Sequence, residues 1–148
     1  MSDQHVSRDI VVDAPPPAVF AVLADPRMHA EFDGSGTVRS AISGPDRLSL
    51  GSRFGVSMRI RVPYRISNEV VEFEEDRRIA WRHLARHRWS YELEPTATGG
   101  TRVTETFDWS TALAAPVLGY TRIPTWNAAS IERTLPRLKA LVEARAAD

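Results

Sequence analysis

Residues 124–146 read PTWNAASIERTLPRLKALVEARA, and the pattern in them is that of one long helix. Ile131, Leu135, Leu138, Leu141 and Val142 recur at spacings of three and four, which gathers them into a single apolar stripe. Glu132, Arg133, Arg137, Lys139 and Glu143 fill the opposite side. The stripe changes along its length. Its C-terminal half carries leucines that fill a core, whereas Ala128, Ala129 and Ser130 in its N-terminal half fill little volume. If a curved sheet wraps this helix, the space beneath the small residues is the natural place for a cavity. Pro136 cannot donate to the carbonyl of Glu132, so a kink is expected there.

Working outward, residues 37–110 read as antiparallel strands with short connections. The clearest is Ser52–Val62, where Phe54, Val56, Met58, Ile60 and Val62 alternate with Arg53, Gly55, Ser57, Arg59 and Arg61. One face is expected buried and the other wet. The arginines of that strand read as a solvated face. Tyr64–Glu75 follows, with Val70-Val71 breaking the alternation. A β-bulge would explain the break, and it leaves the facing of Asn68 and Glu72 open. Ile79–Leu84 places Ile79, Trp81 and His83 on one face. Arg86–Glu94 gathers Trp89, Tyr91 and Leu93, and Thr101–Trp109 gathers Val103, Glu105, Phe107 and Trp109. Thr98-Gly99-Gly100 is a hairpin turn between these last two. Thr37–Ser43 makes a further strand.

Before the sheet, His5–Asp13 reads as a first strand, ended by Ala14-Pro15-Pro16-Pro17. Pro17–Ala24 is a short helix with Val19, Phe20 and Leu23 on one face. Asp25-Pro26 stops it, and Arg27–Glu31 is a second short helix. The segment 111–123 is an apolar loop, which fits either a lid or ordinary packing.

Composition sets the outer bounds. A chain of 148 residues with 43% hydrophobic residues is expected to form one domain, residues 1–148, and to bury a core without staples. With no cysteine it has neither disulfides nor thiolate metal sites. A formal net charge of zero argues against a general nucleic-acid binder. The basic residues are nearly all arginine, a bias typical of high-GC bacterial genomes. Residues 1–8 carry no apolar run of the signal-peptide kind, and no stretch approaches the roughly 20 apolar residues of a membrane span. A cytoplasmic location is the expectation.

The order strand, two short helices, antiparallel strands and one long helix resembles the helix-grip fold. Local phrases carry the resemblance: VFAVLADPRMHAEFDGSG at 19–36, LGSRFGVSM at 50–58, VEFEEDRRIAWRH at 71–83, YELEPTATGGTRVTETFDW at 91–109 and LPRLKALVEA at 135–144. These are similar to segments of the polyketide cyclase/dehydrase-like branch of the START/Bet v 1-like (SRPBCC) superfamily. The resemblance implies an α+β fold, a seven-stranded antiparallel sheet curled around the C-terminal helix, with an apolar cavity between them. Members bind lipids, sterols, polyketides or plant hormones, and some catalyse cyclisation or dehydration. No motif common to the family marks its active members, so no catalytic residue is carried over.

The residues themselves offer candidates. Hairpin registry sets Trp81 near Trp89 or Tyr91, and Tyr91 near Glu105 or Phe107, at roughly 5 Å. With Trp109 they make a broad aromatic surface, read either as core or as a pocket wall. Phe54, Val56, Met58, Trp81, Trp89, Tyr91, Phe107 and Trp109 would line or support the pocket, with Trp126 and Asn127 at its mouth. Asn127 would meet a ligand or satisfy free amides of the helix start. Glu105 sits on a face that should be dry. There a carboxylate either finds a partner, such as Tyr91 or an arginine, or has its pKa raised into the range of a general acid or base. His83 is the second candidate proton carrier, or a structural histidine near a turn. His83 and His87 lie too far apart along a straight strand to share a zinc, and neither a metal nor a cofactor is expected. Gly34-Ser35-Gly36 is too short to cradle a phosphate and lacks the strand-to-helix context.

Three functions fit these residues: a binder of a small hydrophobic, lipid or polyketide-like ligand; a cyclase or dehydratase using Glu105 or His83; and a protein-interaction, antitoxin-like module. Ligand identity and oligomeric state are not encoded in any motif.

Overall fold

The computed structural model describes residues 5–34, 38–59, 62–82, 87–110 and 123–147. The strands are β1 (His5–Val12), β2 (Val38–Ser43), β3 (Arg53–Arg59), β4 (Pro63–Glu74), β5 (Arg78–Arg82), β6 (Arg88–Pro95) and β7 (Thr101–Asp108). Between β1 and β2 lie α1 (Pro16–Leu23), a 3-10 turn (Pro26–Met28) and α2 (His29–Phe32). The last helix, α3, spans Ile123–Ala146.

All strands pair antiparallel in one sheet of order β1-β7-β6-β5-β4-β3-β2. The two edge strands are therefore the two that flank the short helices, and those helices carry the chain from one edge to the other. β3 to β7 form a meander, the outcome expected of short turns between alternating strands. In the β6–β7 turn, Thr96 N–H donates to the carbonyl of Gly100 at 3.0 Å, and Gly99 takes φ of 87°, a left-handed value that favours glycine.

The sequence suggests two short helices here; the chain forms three short helical pieces. The segment expected as one helix over 27–31 is divided. Asp25 accepts from the backbone N–H of Arg27 at 3.0 Å, and Pro26 fixes the first φ of a tight turn. α2 starts only at His29. α1 begins at Pro16, where two prolines occupy positions that need no amide donor. Its Val19, Phe20, Val22 and Leu23 are all buried.

The irregularity in β4 falls where Val70-Val71 break the alternation. Val70 pairs with Trp81 and Glu72 with Ala80, so one extra residue is inserted on β4. The shift settles two facings. Asn68 turns inward and is buried. Glu72 meets Arg78 on the outer face at 3.1 Å.

α3 packs mainly on β1 and β7. Ile131, Leu135, Leu138 and Val142 are buried, Leu141 half so, and Ser130 and Thr134 are buried beside them. Each fully buried leucine or isoleucine contributes roughly 1.5–3 kcal/mol. The helix runs unbroken through Pro136, which lies on its exposed side with Glu132. Polar ties fix its seating at the middle of β1 and just past its end. Arg8 donates to Glu132 at 3.1 Å, and the backbone N–H of Asp13 donates to Glu143 at 3.0 Å.

A second set of ties joins α3 to the loop after α2. Gly34 N–H donates to the Thr134 hydroxyl at 2.8 Å, Arg133 donates to the Gly34 carbonyl at 2.8 Å, and Arg137 donates to the Asp33 carbonyl at 2.9 Å. The approach is so close that a Cβ on Gly34 would lie 2.6 Å from both the Arg133 Cβ and the Thr134 nitrogen. Only glycine fits there.

Candidate functional site

The inner faces of β5, β6 and β7 supply a continuous aromatic surface. Period-2 alternation on each strand brings it about, and the hairpin registers align it. Trp81 pairs with Trp89, Trp89 with Phe107, and Tyr91 with Glu105. Trp81 and Tyr91 lie 5.6 Å apart between ring centroids, Trp89 and Phe107 4.8 Å, and Phe107 and Trp109 5.8 Å. Each such pair adds roughly 0.5–1.5 kcal/mol beyond its area burial.

Glu105 stands in the middle of this surface, 3% exposed. The Tyr91 hydroxyl donates to its Oε2 at 2.7 Å. Its Oε1 is buried and has no hydrogen-bond partner among the described residues. Burial pushes the Glu105 pKa up to about 8; the Tyr91 hydrogen bond pulls the other way, and the negative charge of Asp33 pushes it further up. Tyr91 is itself pushed well above the ordinary phenol range, first by burial and then by the neighbouring carboxyl. At neutral pH the pair is thus a carboxylic acid and a phenol, poised so that one proton can be given or taken near physiological pH.

The short helices close the surface from the other side. His29, 6% exposed, stacks on Trp81 at 4.7 Å and 20°, and sets its ring edge-on to Phe54 at 5.3 Å. Its Nε2–H donates to the carbonyl of Leu23 at 2.9 Å. Burial lowers its pKa to about 4, so the ring is neutral and this bond fixes the tautomer with the proton on Nε2. Phe32 meets Tyr91 edge-on at 6.3 Å. His29, Phe32, Asn68 and Asp33 were not among the residues that the sequence pattern singles out. The signal available for the first two was their i,i+3 spacing inside a short helical stretch, which puts a histidine and a phenylalanine on one face.

Other predicted residues fall as follows. Phe54, Val56, Trp81, Tyr91, Phe107 and Trp109 are buried, while Met58 and Trp89 are half-buried against the same core. Trp126 is 62% exposed and Asn127 half-buried, both in the first turns of α3. His83 and the segment 111–122 lie outside the described residues. His87 sits edge-on to Phe107 at 5.1 Å, and burial lowers its pKa. Among the described residues, no group of three His, Cys, Asp or Glu side chains could hold a metal, and no helix is long and apolar enough to cross a membrane.

Comparison with known proteins gives a family and a fold. The family described as polyketide cyclase/dehydrase and lipid transport matches residues 3–143. The uncharacterized protein Rv0088 of Mycobacterium tuberculosis is 43% identical over 139 residues, which cover 90% of this chain and 62% of that protein. The chain therefore spans under two thirds of that relative's length. Two solved structures share the fold: protein NE0264 from Nitrosomonas europaea, with TM-score 0.71, 17% identity and coverage of 100% of this chain and 99% of that one; and an AHSA1-like protein from Aeromonas hydrophila, with TM-score 0.69, 20% identity and coverage of 97% and 96%.

Proposed function

The chain belongs to the polyketide cyclase/dehydrase and lipid-transport family, a branch of the SRPBCC superfamily, and from that premise we propose that it binds a small, largely apolar molecule between the sheet and α3. The observation that carries this reading is Glu105. A carboxyl with one oxygen unpartnered among the described residues, set in an otherwise aromatic wall, is the composition of a ligand site: mostly apolar, with a few placed polar groups. The small residues of α3, Ala128, Ala129 and Ser130, support it, because they sit in the first half of the helix and carry less side-chain volume than leucines would. Phe54, Val56, Met58, Trp81, Trp89, Tyr91, Phe107 and Trp109 are proposed as wall or support, with Trp126 and Asn127 toward the mouth.

A second reading is favoured by the Glu105 pKa of about 8. A carboxyl that exchanges its proton near neutral pH suits general acid–base chemistry, and the proposal is then a cyclase or dehydratase with Glu105 as the proton carrier and Tyr91 orienting it.

Native mass spectrometry of freshly purified protein, followed by solvent extraction, tests the first reading. A retained apolar molecule is the expected result. A clean apo mass that does not shift after soaking in a lipid and polyketide panel would sink it. If the extracted molecule is changed on incubation, and Glu105→Gln stops the change, the catalytic reading replaces the carrier.

A further inference from the structure

The inner face of β7 and the residue that follows it hold two polar atoms that are buried and without a hydrogen-bond partner among the described residues: Glu105 Oε1 and the indole Nε1 of Trp109. Their side chains are 3% and 5% exposed. They sit four residues apart on one strand face with Phe107 between them, about 13 Å along the strand at its usual rise. A buried polar atom left unpartnered costs roughly 1–3 kcal/mol, so each needs a reason.

Their chemistry is matched. An indole N–H only donates. Glu105 Oε2 already accepts the Tyr91 hydroxyl at 2.7 Å. In the neutral acid the better acceptor oxygen takes that bond, so the carboxyl proton falls on Oε1, which becomes a second donor. Burial is the main reason that the acid stays neutral. Asp33 contributes negative potential from the loop after α2. Arg8, the register partner of Glu105 on β1, reaches over to Glu132 instead. Arg133 and Arg137 of α3 are engaged with the carbonyls of Gly34 and Asp33. The burial that holds the proton on Glu105 would also disfavour an anionic ligand, with the charge of Asp33 adding to it, and a bare hydrocarbon would leave both donors unmet.

Resting on the pocket reading above, we infer that the ligand is an elongated, uncharged molecule bearing two oxygen acceptors of carbonyl or hydroxyl type, one for Glu105 and one for Trp109, joined by an apolar stretch that lies along Phe107. Carboxylates and unfunctionalised hydrocarbons of the same shape are poorer ligands for this site.

Four probes of one shape test it: 2,6-diacetylnaphthalene with two acceptors, 2-acetyl-6-ethylnaphthalene with one, 2,6-diethylnaphthalene with none, and the anion 6-acetyl-2-naphthoate. Binding is followed by calorimetry on the full chain. Affinity should fall several-fold with each acceptor removed, on the scale of one hydrogen bond, and at least as far for the anion. Trp109→Phe keeps an aromatic ring, though a smaller one, and removes the N–H, and should bring the diketone down to the level of the monoketone. Glu105→Leu should remove the remaining preference for ketone over hydrocarbon. The carbonyl stretch of the diketone bound to the unaltered protein should shift to lower frequency, a readout that needs no variant to fold. Equal affinities for diketone and diethyl compound would overturn the donor pair and leave the pocket standing. Failure of all four to bind would overturn the donor pair and the pocket together.

Discussion

His29 and Glu105 lie in one aromatic interior, and both are almost wholly enclosed, yet their settings differ in kind. His29 has aromatic rings against it and its Nε2–H on the Leu23 carbonyl. Glu105 has one oxygen met by Tyr91 and one met by nothing among the described residues. Burial disfavours the charged form of each, so His29 loses its proton readily and Glu105 holds on to its own. The lesson is that burial alone does not mark a functional group. The helix side of the interior is stacked and tied to the backbone. The sheet side keeps an open valence.

The largest expected effect lies on the helix side. Replacing His29 with Ala removes the stack on Trp81 and leaves the Leu23 carbonyl without its donor, and should cost about 3 kcal/mol of stability in urea unfolding. A loss under about 1 kcal/mol would show that His29 is not holding the helices to the sheet and would break the contrast.

Next in size is the pH profile, where the two groups act in opposite directions. His29 has a folded-state pKa of about 4 against 6.5 unfolded. Its contribution is complete above pH 6.5 and is lost as pH falls towards 4. Glu105 has about 8 against 4.5. Its neutral form is favoured in the fold, so its contribution is complete below pH 4.5 and declines as pH rises through 8. Between pH 6.5 and 8 Glu105 dominates, and stability should drop by roughly 1.5 kcal/mol. The drop should vanish in Glu105→Gln. A wild-type curve flat across that interval would mean that Glu105 titrates normally.

The smallest and sharpest effect is on the pair itself. The Tyr91 hydrogen bond lowers the Glu105 pKa, so Tyr91→Phe should raise it. Carbon-detected NMR of the Glu105 carboxyl would follow the midpoint, and a downward move would show that the phenol is not the donor.

The periodicity of residues 124–146 and the alternation of β3 to β7 were enough to read the element order and the inward aromatics, because apolar spacing reports directly on which face is buried. The hairpin lengths narrowed the neighbour of Tyr91 to Glu105 or Phe107, and the register of β6 on β7 decides for Glu105. The Val70-Val71 break signalled the extra residue in β4 but not its consequence for Asn68, since facing after a bulge depends on which residue is skipped. His29 was not legible as a site residue. Its role comes from a stack on Trp81 across 52 positions of sequence, produced by the way the short helices fold back over the sheet, and no local pattern encodes that. Likewise, the division of the second short helix depends on an Asp25 side chain binding the backbone, a competition that hydropathy does not register.

Gly34 gives the molecule a gauge. With no Cβ in the way and hydrogen bonds on either side of it, the loop and the helix are held in direct contact. Asp33, next in the chain, rides with them. A displacement of α3 that kept these bonds would carry Asp33 with it and change how far its charge stands from Glu105. The seating of the helix is thereby written into the proton affinity of a carboxyl on the sheet.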